Sequence, residues 1–440
     1  MRDPGLSGEL EARVARKLRA RILPFVILLY FISFLDRVNV GFAALTMSKA
    51  IGLTPAMFGF GAGIFFIGYV ALQVPGNLLM LRVGARFWIA GVVTAWGAVS
   101  AASAFVVGPH SFYAMRFLLG VAESGFFPGT LLYLSLWFPA RQRAVAFAAF
   151  MAAAPLSTAL GSPISGALME LPRFAGLDNW QWLYIIEALP AILLGFLTLR
   201  VLTDRPEQAT WLNQEERSWL AQTLAAEQIQ GKSRKGSESA VWAVLRDPRV
   251  LALALVYSGT TAGLYALGFW SPLLLEQFGY SSMTIGWLNA IPGVAAVAGM
   301  VVWARNSDRT VERTWHTVIP CLAASAGFIW AGNAHGVLPV ILALTIVSFG
   351  VNGSKGPLWA MPSLFLSGAG AAAGIALINS MGNLGGFVGP LAIGWIKGRW
   401  GSYTCGFYAV GGMLALSAAV MLILSGHIER KTQRQVNHQT

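Results

Sequence analysis

A chain of 440 residues that is 56% hydrophobic and only 11% charged is too apolar for a soluble domain, where about a quarter of the residues are charged. Its formal net charge of +12 does not call for a nucleic-acid partner, because the cations collect in the short segments between apolar runs. Five histidines without ligand spacing and two cysteines inside apolar runs, Cys321 and Cys405, offer no metal site and no nucleophile; both cysteines read as small packing residues. No cofactor, no metal and no enzymatic activity is expected.

A membrane-crossing helix needs roughly 20 apolar residues. In chain order the sequence predicts twelve, near 23–46, 57–80, 87–107, 111–138, 143–169, 180–203, 249–276, 283–304, 316–334, 337–362, 371–396 and 403–425. The expected fold is an all-α polytopic membrane protein: twelve transmembrane helices in two six-helix halves related by pseudo-two-fold symmetry. The divisions are a cytoplasmic N-terminal segment 1–22, a half 23–203, a linker 204–247, a second half 248–425 and a tail 426–440. The basic, polar first 22 residues run into a full-length span with no small-residue cleavage site, so no cleaved signal is expected.

Lys and Arg set the orientation, because short loops rich in them stay cytoplasmic. With the N-terminus inside, inner segments hold 24 of the 31 Lys and Arg, and outer loops only Lys49, Arg173, Lys397 and Arg399. Both termini are therefore expected in the cytoplasm. In the linker, the stretch after Asp204 reads as an amphipathic helix, with Trp211, Leu212, Trp219 and Leu220 as apolar contacts and Glu215, Glu216 and Arg217 outward. The KSRKGSES stretch that follows reads as disordered, and the whole segment as a tether between halves.

Three matches share one offset of 227 residues: Arg82 with Arg309, Arg86 with Arg313, and Pro163 with Pro390. They coincide with the six-plus-six split and support an internal duplication. At the same offset Asp36, Arg37, Arg116 and Glu123 fall on Gly263, Leu264, Ala343 and Gly350. The main intramembrane charge cluster thus belongs to the first half, and ion coupling is expected from that side.

Six charges lie well inside apolar runs: Asp36, Arg37, Arg116, Glu123, Glu187 and Lys355. Each costs about 2.5–3.5 kcal/mol at the bilayer centre on insertion scales. Unpaired, they would cost on the order of 15–20 kcal/mol together, comparable to the stability of a whole fold. They must face one another or water. In the fourth span, Arg116 and Glu123 are two helical turns apart and share a face, about 10 Å apart along the axis. Gly120 leaves that face open to a ligand or a neighbouring helix.

Two readings compete: each charge pairs with a helix neighbour, such as Asp36 with Arg116, or the cluster is functional. Burial favours the neutral form of a carboxyl and a nearby guanidinium the ionised form. Asp36 and Glu123 stand between these influences and are the candidate proton-coupling groups. With both protonated, Arg37, Arg116 and Lys355 leave the region cationic and ready for an anion; with both ionised, the guanidiniums are neutralised internally and the anion leaves.

Tyr69, Gln73 and Asn77 repeat every four residues along the second span, as Asn379 and Asn383 do on the eleventh; such stripes either line a cavity or join helices. In the tenth span, Gly353, Gly356 and Pro357 interrupt the helix around Lys355, with Trp359 close behind. Unwound backbone at membrane depth is tolerated only against a cavity or buried in protein. Lys355 reads as a third anion-binding cation, and Glu187 as a structural partner for a neighbouring helix.

The loop N77-L-L-M-L-R-V-G-A-R86 resembles the major facilitator superfamily signature G-x-x-x-D-R-x-G-R-R, and S307-D-R-T-V-E-R313 resembles its copy in the second half. Arg82, Gly84 and Arg86 keep their places in the first loop while Leu81 stands where the acid usually is. Asp308, Arg309, Glu312 and Arg313 keep theirs. FLDRVNVG, QVPGNLL, MRFLLGVAESGFFPG, LGSPISG and KGPLWAMP together resemble the anion:cation symporter family of that superfamily. Its members include carriers of hexonates, tartrate and phthalate and the sialin-like organic-anion transporters.

The resemblance implies proton sites at Asp36 and Glu123, and substrate or coupling roles at Arg37, Tyr69 and Arg116. Gln73, Lys355, Trp359, Asn379 and Asn383 complete the candidate substrate site, and Lys355 suggests a substrate with two acidic groups or an aromatic carboxylate. The expected function is proton symport of an organic anion into the cell across the inner (plasma) membrane, by a monomer whose partners are substrate, protons and lipid. A uniporter, a sodium-coupled carrier and a non-transporting sensor are the alternatives.

Overall fold

The computed structural model describes residues 4–232, 244–366 and 368–437. Most of KSRKGSES, and the side chains of Asn77 and Leu81, lie outside the described residues. Among the described residues, eleven helices are long and apolar enough to cross a membrane. The helix Thr314–Asn333 takes the ninth place by position, its apolar run diluted by Thr314, His316 and Thr317 at one end and Asn333 at the other.

Local sequence explains where the spans begin. Thr54 accepts a hydrogen bond from the Met57 amide at 3.3 Å ahead of Pro55, opening the second span Pro55–Val83. Asp247 accepts from the Arg249 amide at 2.8 Å ahead of Pro248, opening the seventh span Pro248–Glu276. Ser281 accepts from the Thr284 amide ahead of the eighth.

Several spans are interrupted midway. The first runs as Leu23–Val38 and Val40–Ala50 around Asn39. The fourth runs as Pro109–Glu123 and Phe126–Trp137 around Ser124 and Gly125. The tenth runs as Val337–Gly353 and Lys355–Ala360 around Ser354, where the glycines and proline beside Lys355 pointed. The eighth carries a π-turn at Gly299–Trp303 between Ser282–Ala298 and Ala304–Thr310.

With twelve spans, both termini share one face. The halves meet most closely on the opposite side. A side-chain carbon on Gly286 would stand 2.6 Å from the Ser162 carbonyl, one on Gly293 2.6 Å from Ala159, and one on Gly59 2.6 Å from the Pro390 carbonyl. Only glycine lets these backbones touch. Polar groups reinforce the seam: Asn289 Nδ2 donates to Ser162 Oγ at 3.0 Å, and Ser271 Oγ donates to Asn289 Oδ1 at 2.7 Å. The bundle is thus sealed on the face away from its termini.

On the terminal face, the first residues form a helix, Pro4–Arg21, that buries Leu10, Val14 and Leu18. The linker helix spans Gln214–Lys232, so Trp211 and Leu212 precede it. Glu215 is exposed, Arg217 is half-buried, and Glu216 is fully buried, which corrects the expectation that all three point outward. Lys17 Nζ reaches Glu216 at 2.7 Å and compensates its burial. Cys321 is buried as expected, but Cys405 is exposed near the start of the last helix and does not pack inside.

Candidate functional site

A narrow cavity lies between the halves, lined by Arg37, Tyr69, Lys355, Trp359, Asn379 and Asn383 together with Tyr30, Phe34, Phe127, Tyr257 and Tyr265. Of the predicted substrate residues, only Gln73 and Arg116 stand outside it. Gln73 bridges the halves instead, its carbonyl accepting from Ser380 Oγ at 3.0 Å. Asn383 Nδ2 donates to Asn379 Oδ1 at 2.6 Å, and Trp359 packs edge-on against Tyr257 with ring centres 5.0 Å apart.

Arg37 is buried where the first span approaches its interruption. Nη2 forms an ion pair with Glu123 and Nε reaches the same carboxylate at 3.4 Å, while Nη1 donates to the Tyr265 hydroxyl at 2.8 Å. Its guanidinium carbon also lies 5.1 Å from the ring centres of Phe65 and Tyr69, within cation–π range. Ser33 Oγ donates to Glu123 as well. Asp36, one residue earlier, points elsewhere: Ser100 Oγ donates to it at 3.0 Å and Trp96 Nε1 at 3.2 Å. Adjacent residues on one helix thus serve two environments, the cavity wall and the third span.

The alternative reading, in which each charge pairs with a helix neighbour such as Asp36 with Arg116, is met only in part among the described residues. Glu123 takes its cation from the first span and not from Arg116 on its own, and Asp36 does not pair with Arg116. The reason lies at Gly120, where a side-chain carbon would stand 1.9 Å from the Phe65 carbonyl. The second span closes there and holds Arg116 away from the cavity. Arg116 Nη2 reaches the Ala62 carbonyl at 3.4 Å, and the guanidinium lies over Phe65 and Phe269. Among the described residues its Nε and Nη1 have no hydrogen-bond partner.

Lys355 faces the cavity from the other half. Its Nζ donates to Asn352 Oδ1 at 3.1 Å, and among the described residues no carboxylate forms an ion pair with it.

The two motif loops differ. In the first, Gly84 adopts φ +93°, a conformation that favours glycine, and Arg86 N–H donates to Asp204 Oδ1 at 2.9 Å. The carboxylate absent at Leu81 is supplied from the end of the sixth span. Arg82 is exposed. In the second loop Arg313 pairs with Asp308 at 2.6 Å, and Arg309 is exposed. Glu312 accepts from the Trp315 and His316 amides and contacts His316 Nδ1 at 2.7 Å. Burial opposes the ionised Glu312, but His316 and the two amides hold its carboxyl below the usual range.

Sequence reasoning did not single out Asp204, Tyr265, Ser33, Trp96 or Ser100. None carried a signal in the sequence; even Asp204 lies 118 residues from the motif loop it caps.

A helical bundle that encloses a cavity between two halves, sealed on one face, is built to expose one site to alternate sides of a membrane. The class is a secondary transporter. The chain belongs to the Major Facilitator Superfamily, which matches residues 26–390. It is 59% identical over 421 residues to a protein of Agrobacterium vitis named "Putative tartrate transporter", covering 96% of each chain. It is 37% identical over 433 residues to "Quinolone resistance transporter" of Acinetobacter baumannii, covering 98% and 99%. Its fold matches, with TM-score 0.77 and 16% identity, a bacterial homolog of the human lysosomal transporter Spinster, covering 92% of this chain and 97% of that one. The protein is a multi-pass membrane transporter.

Proposed function

We propose that this transporter is a proton symporter for a small organic anion, with dicarboxylates preferred, in a bacterial inner membrane with both termini cytoplasmic. The observation that carries the reading is that two cations from opposite halves, Arg37 and Lys355, line one cavity. An anion with a carboxylate at each end engages both and draws the halves together. The relative named for tartrate has such a substrate in its name, and the basic asymmetry of the loops supports the orientation.

Coupling follows from the Arg37–Glu123 pair. With Glu123 ionised, Arg37 is satisfied within the protein. A proton on Glu123 releases the guanidinium for substrate, and loss of that proton on the cytoplasmic side returns the pair and expels the anion. A second reading, an aromatic carboxylate, draws on the aromatic rings of Tyr30, Phe34, Phe127 and Trp359 in the cavity wall.

In proteoliposomes, an inward proton gradient should drive uptake of an organic acid, with tartrate-like dicarboxylates ahead of monocarboxylates. A flat response across mono-, di- and aromatic carboxylates sinks the reading. Glu123→Gln should abolish gradient-driven accumulation while leaving substrate exchange partly intact; accumulation that survives moves the proton role to another acid.

A further inference from the structure

Glu187 remains unaccounted for. It sits two turns into the sixth span Asn179–Val201 and is 2% exposed. Ser165 Oγ donates to Oε1 at 2.6 Å. No Lys or Arg among the described residues forms an ion pair with it, and Oε2 has no hydrogen-bond partner. The Asn39 side chain faces it, yet neither Asn39 Oδ1 nor Nδ2 completes a hydrogen bond.

The Ser165 contact joins the fifth and sixth spans, as a structural partner would, but it engages one carboxyl oxygen and leaves Oε2 to Asn39. A structural carboxylate at membrane depth is expected to hold a cation or several donors; this one leaves an oxygen and a whole amide open. An amide presents both a donor and an acceptor, and which end faces a neighbour is set by the proton there. Protonated Oε2 donates to Asn39 Oδ1, and ionised Oε2 accepts from Asn39 Nδ2. Asn39 can therefore meet either protonation state of Glu187 with a hydrogen bond, while burial without a cation favours the protonated one. Glu123 differs in kind, because its carboxylate is held by Arg37 and Ser33.

The neighbours give the site a direction. Asn39 follows Asp36 by three residues on the first span, close to one turn. Glu187 and Glu123 both lie within electrostatic range of Asp36. From the third span, only Trp96 and Ser100 address Asp36. From the fifth, Ser165 addresses Glu187. On the sixth itself, Tyr184 lies within electrostatic range of Arg116, Glu187 and Asp36. Along their helices, Glu187, Ser165 and Asn39 stand nearer than Asp36 to the face away from the termini. None of Glu187, Ser165 and Asn39 lines the substrate cavity.

We infer that Glu187 is a proton-holding residue on a path inside the first half, receiving a proton from the face away from the termini and passing it through the Asn39 turn to Asp36. The proton route is thereby separate from the substrate route. This rests on the proton-symport reading for its purpose, but its test does not need transport.

Infrared difference spectroscopy of the purified protein across a pH titration reads protonated buried carboxyls directly. Glu187→Gln should remove one carboxylic C=O band and move the titration midpoint of the band that Asp36→Asn removes. Ser165→Ala, which deletes the hydroxyl donor and keeps the acid, should shift the Glu187 band in frequency. If Glu187→Gln misfolds, that frequency shift decides. Unchanged bands and midpoints in these variants overturn the inference. In proteoliposomes, Glu187→Gln should shift the pH profile of uptake; uptake in the unsubstituted protein that ignores a proton gradient would defeat the symport reading while leaving the infrared result standing.

Discussion

The two halves share a plan and divide the labour. Asp36, Arg37, Arg116, Glu123 and Glu187 are buried in the first half; the second contributes Lys355 to the same depth. The residue 227 places beyond Glu123 is Gly350, where a side-chain carbon would stand 2.4 Å from the Pro320 carbonyl. The counterpart of Arg37 is Leu264, which lines the cavity as an apolar wall. Where one half places titratable groups, its copy places close packing or an apolar wall. A rocking bundle does not need two sets of charges: one half can carry the chemistry while the other supplies a firm surface and a single anchor.

The sharpest way to break this comparison is at Arg37. Arg37→Ala strands Glu123 without its cation, and breaking a buried pair costs about 3–5 kcal/mol. A large fall in thermal stability in detergent should follow, largely recovered in Arg37→Ala/Glu123→Gln. If the double variant is no more stable than the single, the pair is not the main compensation for these charges.

Lys355→Ala removes the cation that the second half presents to the cavity. Losing a charge-assisted contact costs about 1.5–3 kcal/mol, so dicarboxylate affinity should fall about ten- to hundredfold. Monocarboxylates should change less, and equal loss for both would place Lys355 outside the site. Asp204→Ala removes the acceptor at the first motif loop and should cost about 1 kcal/mol, as a lost helix cap does. Asp308→Ala in the second loop provides the matched measurement.

The smallest effect concerns the Lys17–Glu216 latch. Burial opposes the ionised Glu216, but hydrogen bonds from Lys17 and the Asn213 amide hold its carboxyl below the usual value. An acid depressed in this way contributes stability above its unfolded pKa of about 4.3 and loses it as pH falls through the folded value. Hydrogen exchange in Pro4–Arg21 should therefore accelerate only below about pH 4, and Lys17→Ala should remove that step.

Much of this was legible in the chain. Hydropathy marked the spans because lipid imposes their length, and the expense of intramembrane charge singled out Arg37, Glu123 and Lys355. The partner of each charge was not legible. Helical spacing put Arg116 and Glu123 on one face, but pairing depends on how spans rotate and how deeply they interlock. Gly120 decided that by admitting the second span. Asp204 was hidden because its partner loop is 118 residues away in the chain. The outward assignment of Glu216 failed because amphipathic spacing cannot see Lys17 arriving from another helix.

The interruptions at Asn39, at Ser124 and Gly125, and at Ser354 lie within three residues of Asp36, Arg37, Glu123 and Lys355. A helix gives most easily where its own ladder is missing a rung. The 11-residue piece Val40–Ala50 is roughly 16 Å long, so a bend of about 10° at Asn39 would carry its far end about 3 Å. Under the proposed symport, chemistry at such a point has leverage: the arrival of one proton or one carboxylate, an event of about an ångström, would be geared up to the scale on which a gate moves.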